Sequence, residues 1–399
     1  MTRRRQVLFR VVTPLVVLML AELTVRYVFD LRSRITLAER KTLAAYQGKP
    51  WAPQFFKDLA SCASQSARAH HPRYARYVLQ DINEDCATRF VNYSGRVRRT
   101  WNPQATPGVR VYEIGMFGGS TMEGLGAIDD ETIASHLSKL ANGSANGSVV
   151  YHVTNFGVSG YTFTQSLVKL VTLLRDGHRF DAVVFYGGDN DIDYAYDLGE
   201  VGALEAENLV RTRLEGGILD RIAEFAKEQI NGCVLCIAGV VIARNTVILK
   251  DHVSPYLVRL RDLAHFKKGR SDDHDVEQFA GGIARYYGQS HAMLASIAAA
   301  YHFQFLDVWQ PSLMYDVTYA PGEAPLARMD PRLTDQKLRL LYKLTRDAVK
   351  KLGLPQFDDV SQALDGRQTA AYLDAVHLSG DANGIVARSV YQAWKDGGH

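Results

Sequence analysis

Short apolar runs alternate with helix-spaced segments through the middle of the chain. Three runs, at 109–117, 149–156 and 181–186, are bounded by turn-forming residues and are rich in β-branched or aromatic side chains, which is typical of buried strands. The segments 131–140 and 163–174 lie between them and repeat their apolar positions at helical spacing. This alternation predicts an α/β domain with a parallel sheet that is covered by helices on both faces.

The alternation stops after Asp191 and resumes near residue 276. Residues 192–275 combine helical patterns with a polar run and one apolar stretch, and we interpret them as a helical insertion over the domain. The apolar stretch is too short to predict a second membrane span. The elements predicted beyond it are a helix at 276–301, a strand at 303–309, a helix at 333–352, a weak fifth strand at 357–364 and a closing helix at 383–394.

The chain therefore divides into three parts. Residues 1–34 form an N-terminal anchor or signal segment, residues 35–107 a juxtamembrane lead-in, and residues 108–396 the α/β domain with its insertion. We expect the lead-in to begin with a helix and to pack on the main domain. No internal repeat and no low-complexity tract interrupts these parts.

The N-terminal segment has the pattern of an export or membrane signal. Arginines at 3–5 precede an apolar stretch at 7–29, whose uninterrupted part is too short to cross a bilayer unaided. It spans if Arg10 and Arg26 extend toward opposite head-group regions. We predict an uncleaved anchor with the first arginines cytoplasmic and the rest of the protein outside the cytoplasm. A cleaved signal peptide and an amphipathic packing helix are the alternatives.

Cysteine usage agrees with export. Cys62 and Cys86 lie in the lead-in, where a disulfide would cross-link a loop-rich segment. Cys233 and Cys236 form a Cys-x-x-Cys pair without a thioredoxin-like context or a second pair at zinc-binding spacing. We interpret that pair as buried thiols or a local disulfide, and the sequence does not decide between them.

Charge excludes one class of partner. The chain of 399 residues has 46 basic and 43 acidic residues and a net charge of +3, so it gives no reason to expect a nucleic-acid partner. The run Asp272, Asp273, His274 and Asp275 lies in a polar, basic segment, and we interpret it as a solvated loop rather than a metal site. No metal and no cofactor is therefore expected.

Polar motifs follow the first three predicted strands. Ser120 follows two glycines, Gly160 lies in a glycine-bearing turn, and Asn190 follows a third turn. The carboxyl ends of parallel strands meet at one edge of a sheet, so these residues should lie together. Ser120 offers a hydroxyl nucleophile, while the backbone N–H groups of Ser120 and Gly160 and the Asn190 amide offer donors for an oxyanion.

A carboxylate and an imidazole near the C-terminus complete the set. Asp374 precedes His377 by three residues, just before the closing helix. A serine hydroxyl needs a base, which His377 would supply, and Asp374 would fix the imidazole tautomer. Taken singly, each motif has a structural interpretation as a turn, a helix cap or a packed histidine. Their coincidence at strand ends favours a catalytic interpretation. Asp191 is a capping candidate and is left out of the catalytic set.

These motifs resemble the four blocks of the SGNH (GDSL-type) hydrolases, a family named for its Ser, Gly, Asn and His. The resemblance covers roughly residues 108–396 without the insertion, and it implies a three-layer α/β/α fold with a flavodoxin-like sheet. It implies Ser120 as nucleophile, Gly160 and Asn190 in the oxyanion hole, and Asp374 with His377 as acid and base. Gly119 departs from the family, much of which has Asp there; it resembles membrane-anchored members with Gly-Gly-Ser-Thr.

The resemblance implies ester chemistry without a cofactor. The expected protein is a membrane-anchored serine esterase that acts outside the cytoplasm on a small ester or an O-acylated glycan, an expectation that rests on family analogy and location. An O-acyltransferase on the same site and a non-catalytic glycan-binding or assembly protein are the alternatives.

Overall fold

The computed structural model describes the main domain and much of the lead-in. The described residues are 43–205, 207, 210 and 275–397, apart from short gaps at 66–72, 83–84, 105–106, 146 and 316–317. The predicted anchor at 1–34, most of the predicted insertion and the Cys233–Cys236 pair lie outside the described residues. Within the part that the structure describes, no helix is both long and apolar enough to cross a membrane.

The strands fall into two sheets. In chain order, the strands of the described residues are β1 (Arg73–Ala75), β2 (Leu79–Asp81), β3 (Cys86–Ala87), β4 (Asn92–Ser94), β5 (Val97–Arg98), β6 (Arg110–Gly118), β7 (Val149–Asn155), β8 (Ala182–Gly187), β9 (Gln304–Trp309) and β10 (Phe357–Asp359). β1 and β2 form an antiparallel pair by themselves, and the other eight form one sheet in the order β10-β9-β8-β6-β7-β5-β4-β3.

Five neighbouring strands of the large sheet run parallel to one another. β10, β9, β8, β6 and β7 pair in parallel, and their order corresponds to the flavodoxin-like arrangement of doubly wound sheets. The strand β8, which lies between β9 and β6, is buried from Ala182 to Tyr186, as expected when helices cover both faces. The predicted α/β class with a parallel-rich sheet is therefore confirmed.

Helices cover both faces of this sheet. In chain order they are α1 (Ala52–Gln65), α2 (Ser120–Glu123), α3 (Ile133–Gly143), α4 (Phe163–Arg175), α5 (Asp189–Leu198), α6 (Val276–Tyr301), α7 (Leu326–Met329), α8 (Gln336–Lys351) and α9 (Gly380–Asp396). α3 packs against α9, while α6 packs against α4, α5 and α8. Side-chain caps fix several helix starts: Thr132 begins α3, and Thr162 with Gln165 forms a capping box at α4.

Two segments differ from the sequence-based expectation. Residues 86–98, assigned to the lead-in, add three antiparallel strands beyond β7, and strands of two or three residues are too short to show an alternating pattern. The helix α5 falls at the start of the predicted insertion, yet it packs in the main helical layer with Ile192 and Ala195 fully buried. Because most residues of α5 are polar, its narrow apolar face gave no clear helical pattern in the sequence.

A disulfide ties the lead-in together. It joins Cys62 at the end of α1 to Cys86 in β3, at a sequence separation of 24. Cross-links of this kind stabilise mainly by restricting the unfolded chain. The bond therefore holds α1 against the antiparallel edge of the main sheet.

We expect the double variant Cys62→Ala/Cys86→Ala to lower the free energy of unfolding by about 2–4 kcal/mol, because the unfolded chain regains loop entropy. Urea denaturation of the oxidised protein and the variant measures this difference. The reduced wild-type protein should unfold near the variant, and a reduced protein as stable as the oxidised one contradicts the assignment.

Candidate active site

Ser120 is presented by a sharp turn at the end of the central strand β6. β6 ends at Gly118, and Ser120 is the first residue of α2. A side chain at Gly118 would place its Cβ 2.2 Å from the Tyr186 carbonyl oxygen, so glycine is needed where the ends of β6 and β8 approach. The turn leaves the Ser120 hydroxyl at the carboxyl edge of the parallel sheet, where open α/β sheets bind ligands.

A hydrogen-bonded chain connects Ser120 to the C-terminal motif. The Ser120 Oγ lies 2.8 Å from His377 Nε2, and His377 Nδ1 lies 2.7 Å from Asp374 Oδ2. The other oxygen of Asp374 accepts the backbone N–H groups of Val376 and His377 at 2.9 and 2.8 Å. Three side chains predicted from two distant motifs thus meet in one line.

The environment of Asp374 favours its ionised form. Burial by itself raises the pKa of Asp374, but the charge of His377 and the hydrogen bonds from His377 and Val376 outweigh it and hold that pKa well below its usual range. An ionised Asp374 accepts a proton-bearing Nδ1, which leaves Nε2 of a neutral imidazole free to accept from the Ser120 hydroxyl. This is the arrangement that a serine nucleophile requires.

Two buried carboxylates hold the loop that carries Asp374 and His377. Glu323 forms an ion pair with Arg367 and accepts the backbone N–H groups of Ala371 and Tyr372 at 2.7 and 2.9 Å. Asp330 accepts the N–H of Ala375 at 3.0 Å. Glu323 and Asp330 lie in a loop without a periodic pattern, so no sequence signal identified them.

Of the predicted oxyanion donors, Asn190 lies beside the Ser120 turn. The Asn190 amide donates to the Tyr161 carbonyl at 2.8 Å, and its second N–H remains chemically able to donate. A Cβ on Gly119 would lie 2.4 Å from the Asn190 nitrogen, so this amide touches the residue before Ser120. The loop of Gly160 packs on α2, where Gly157 makes a similarly close approach to the Glu123 nitrogen. Gly160 itself has a φ of 78°, a conformation that favours glycine.

A second buried network couples the nucleophile turn to the Asn190 turn. Thr121 donates to the Gln310 side-chain oxygen at 2.8 Å, and the Gln310 amide donates to Asp189 at 2.7 Å. Burial, followed by the charge of Asp193, raises the pKa of Asp189 well above its usual value. Gln310 thus bridges the residue after Ser120 and the residue before Asn190, a role that its position after β9 did not reveal.

Asp191, which was left out of the predicted catalytic set, contacts the start of α4. Both of its oxygens accept the backbone N–H of Phe163 at 3.2 Å, at the start of α4. Burial raises the pKa of Asp191 to about 7. Among the residues that the structure describes, no group of three or more His, Cys, Asp or Glu side chains is arranged to hold a metal ion.

Comparisons with solved structures give distant matches. No family model and no curated protein matches the chain. A member of the lipolytic protein G-D-S-L family from Veillonella parvula aligns over 71% of this chain and 98% of its own, with 10% identity and a TM-score of 0.36. A carbohydrate acetylesterase from Sinorhizobium meliloti aligns over 71% and 99%, with 12% identity and a TM-score of 0.35. Similarity at this level leaves the functional argument to the residues of the chain itself.

A side chain at Gly119 would clash with the Asn190 amide. We expect Gly119→Ala to lower turnover of p-nitrophenyl acetate about 10²–10³-fold, because the new Cβ displaces the Asn190 amide and removes one donor. The matched control is Gly281→Ala in α6, where a Cβ meets nothing within 4 Å. Equal turnover in the two folded variants contradicts the placement of Asn190.

Proposed function

We propose that this protein is a serine hydrolase of the SGNH type that cleaves ester bonds. The observation that carries the proposal is the chain of hydrogen bonds from Ser120 through His377 to Asp374. The same chemistry that makes a hydroxyl nucleophilic requires a base at Nε2 and an orienting acid at Nδ1. The proposal needs no metal and no cofactor, because the three side chains supply nucleophile, base and charge.

The reaction follows from these positions. His377 takes the Ser120 proton as the oxygen attacks the ester carbonyl, and Asp374 stabilises the resulting imidazolium. The tetrahedral oxyanion accepts from the backbone N–H groups of Ser120 and Gly160 and from the Asn190 amide, each donor lowering the barrier by about 3 kcal/mol. His377 then protonates the departing alcohol. Water, deprotonated by His377, attacks the acyl-Ser120 intermediate and releases the acid.

The proposed substrate is a short acyl ester on a small molecule or a glycan outside the cytoplasm. The support for the location is the apolar segment between basic flanks at the N-terminus and the disulfide between Cys62 and Cys86, which forms in oxidising compartments. Under this proposal the N-terminal segment anchors the enzyme to a membrane. The acyl-carrying glycan is proposed from the family resemblance and from that location.

Ser120→Ala tests the proposal directly. We expect at least a 10³-fold loss of p-nitrophenyl acetate turnover and no adduct with a fluorophosphonate probe, because the variant lacks the hydroxyl that lies 2.8 Å from His377 Nε2. The control is Ser144→Ala, which removes an exposed serine after α3. A Ser120→Ala protein that keeps full turnover, or a wild type that is never labelled, overturns the proposal; the latter outcome fits a binding protein.

We expect Asp374→Asn to keep the loop folded but to lower kcat about 10³–10⁴-fold. The Asn oxygen still accepts the two backbone N–H groups, while its amide faces Nδ1 and favours the wrong imidazole tautomer. The loss should be similar at pH 6 and pH 8, because the lowered pKa keeps Asp374 ionised at both values. Steady-state kinetics at the two pH values measure it, and a loss that disappears at either pH contradicts this role.

A further inference from the structure

We propose that Glu123 is a positioning residue that locks the oxyanion loop onto the helix of the nucleophile. This inference rests on the proposed function, since it concerns the donor at Gly160. Glu123 lies one turn after Ser120 in α2 and is only 6% exposed. None of the four sequence blocks includes it, and it touches none of the reacting atoms in the proposed reaction.

One carboxylate oxygen of Glu123 holds the residue before Gly160. Its Oε2 accepts the backbone N–H of Ser159 at 2.7 Å and the Ser159 hydroxyl at 2.6 Å. From the other side, the Gln80 amide donates to the Ser159 carbonyl at 3.2 Å. Both backbone polar groups of Ser159 are therefore held, its N–H by Glu123 and its carbonyl by Gln80. Because this carbonyl belongs to the same peptide group as the Gly160 N–H, the direction of the Gly160 N–H is held as well.

The other carboxylate oxygen of Glu123 is held by the lead-in. Its Oε1 accepts from the Tyr93 hydroxyl at 2.7 Å. Burial raises the pKa of Tyr93, and the charge of Glu123 raises it further, so the phenol stays protonated and donates. Arg98 donates to the same hydroxyl at 3.3 Å and is itself buried in an ion pair with Asp129 at 2.7 Å.

A carboxylate is the side-chain group that satisfies this arrangement fully. Glu123 accepts three hydrogen bonds at once, from Tyr93 and from two groups of Ser159. A carboxylate has the lone pairs for all three and no proton that needs a partner. Removing a group so deeply engaged leaves buried donors unpaired, which is destabilising unless the loop moves. The loop that moves is the one that carries Gly160.

A purely structural role and a positioning role predict different kinetics. An oxyanion donor acts in the transition state, so its misplacement lowers kcat and leaves KM nearly unchanged. We expect Glu123→Ala to lower kcat on p-nitrophenyl acetate about 10–10²-fold with KM changed less than about threefold. Glu123→Gln retains an oxygen for the two groups of Ser159 but places an N–H donor against the Tyr93 hydroxyl, so it should recover part of the lost kcat.

Tyr93→Phe provides a second variant that keeps the Glu123–Ser159 bonds. We expect it to lower kcat by a smaller factor, about 3–10-fold, because the carboxylate loses only the hydrogen bond from Tyr93. Tyr93→Phe should add nothing in a Glu123→Ala background if it acts through Glu123. Tyr112→Phe is the matched control. Tyr112 lies near the start of β6, at the opposite end of the strand from Ser120, and its hydroxyl donates to Gln304 of β9, so its removal should leave kcat unchanged.

Hydrogen exchange at Ser159 separates failure of this inference from failure of the proposed function. The Ser159 N–H should exchange faster in Glu123→Ala than in wild type, whether or not the protein cleaves esters. A wild type no more active than Ser120→Ala overturns the proposed function while exchange still reports on the loop. Unchanged Ser159 exchange, or Ser120-dependent turnover that Glu123→Ala and Tyr93→Phe leave at the wild-type level, overturns the positioning role.

Discussion

The site depends on one contact, that of the His377 imidazole with the Ser120 hydroxyl, across 257 positions of sequence. This contact requires a loop after the edge strand β10 to reach the end of the central strand β6. The flavodoxin-like order makes that reach short, because all five parallel strands end at the same edge of the sheet. The fold thus converts distant segments into neighbours before any side chain is placed.

Buried carboxylates then hold the segments in register. Glu323 and Asp330 accept backbone N–H groups of the loop before His377, and Glu123 does the same for the loop of Gly160. Burying a charge is costly unless each lone pair finds a donor, so such groups tolerate little movement of their partners. Because each buried carboxylate needs several donors at fixed positions, it holds those donors rigidly and so supports a catalytic site.

The lead-in is also part of the structure that supports the site. Its β2 places Gln80 on the Ser159 carbonyl, and its β4 places Tyr93 on Glu123. The disulfide between Cys62 and Cys86 restrains the same region. The lead-in therefore supports the loop that carries the proposed oxyanion donor Gly160. The opposite part of the site, with the base His377, is supported by the loop that carries Asp374.

The sequence alone was enough for the elements with long, regular patterns. The helix Val276–Tyr301 coincides with its predicted bounds, and four of the five parallel strands lie within one residue of theirs, while β10 ends at Asp359 rather than at residue 364. Ser120 was named from a motif at a strand end, and Asp374 with His377 from a motif before the closing helix. Short strands such as Val97–Arg98 carry too few residues for a periodic signal. The roles of Glu123 and Gln310 depend on contacts between residues far apart in the chain, which no local pattern encodes, so only the tertiary structure decided them.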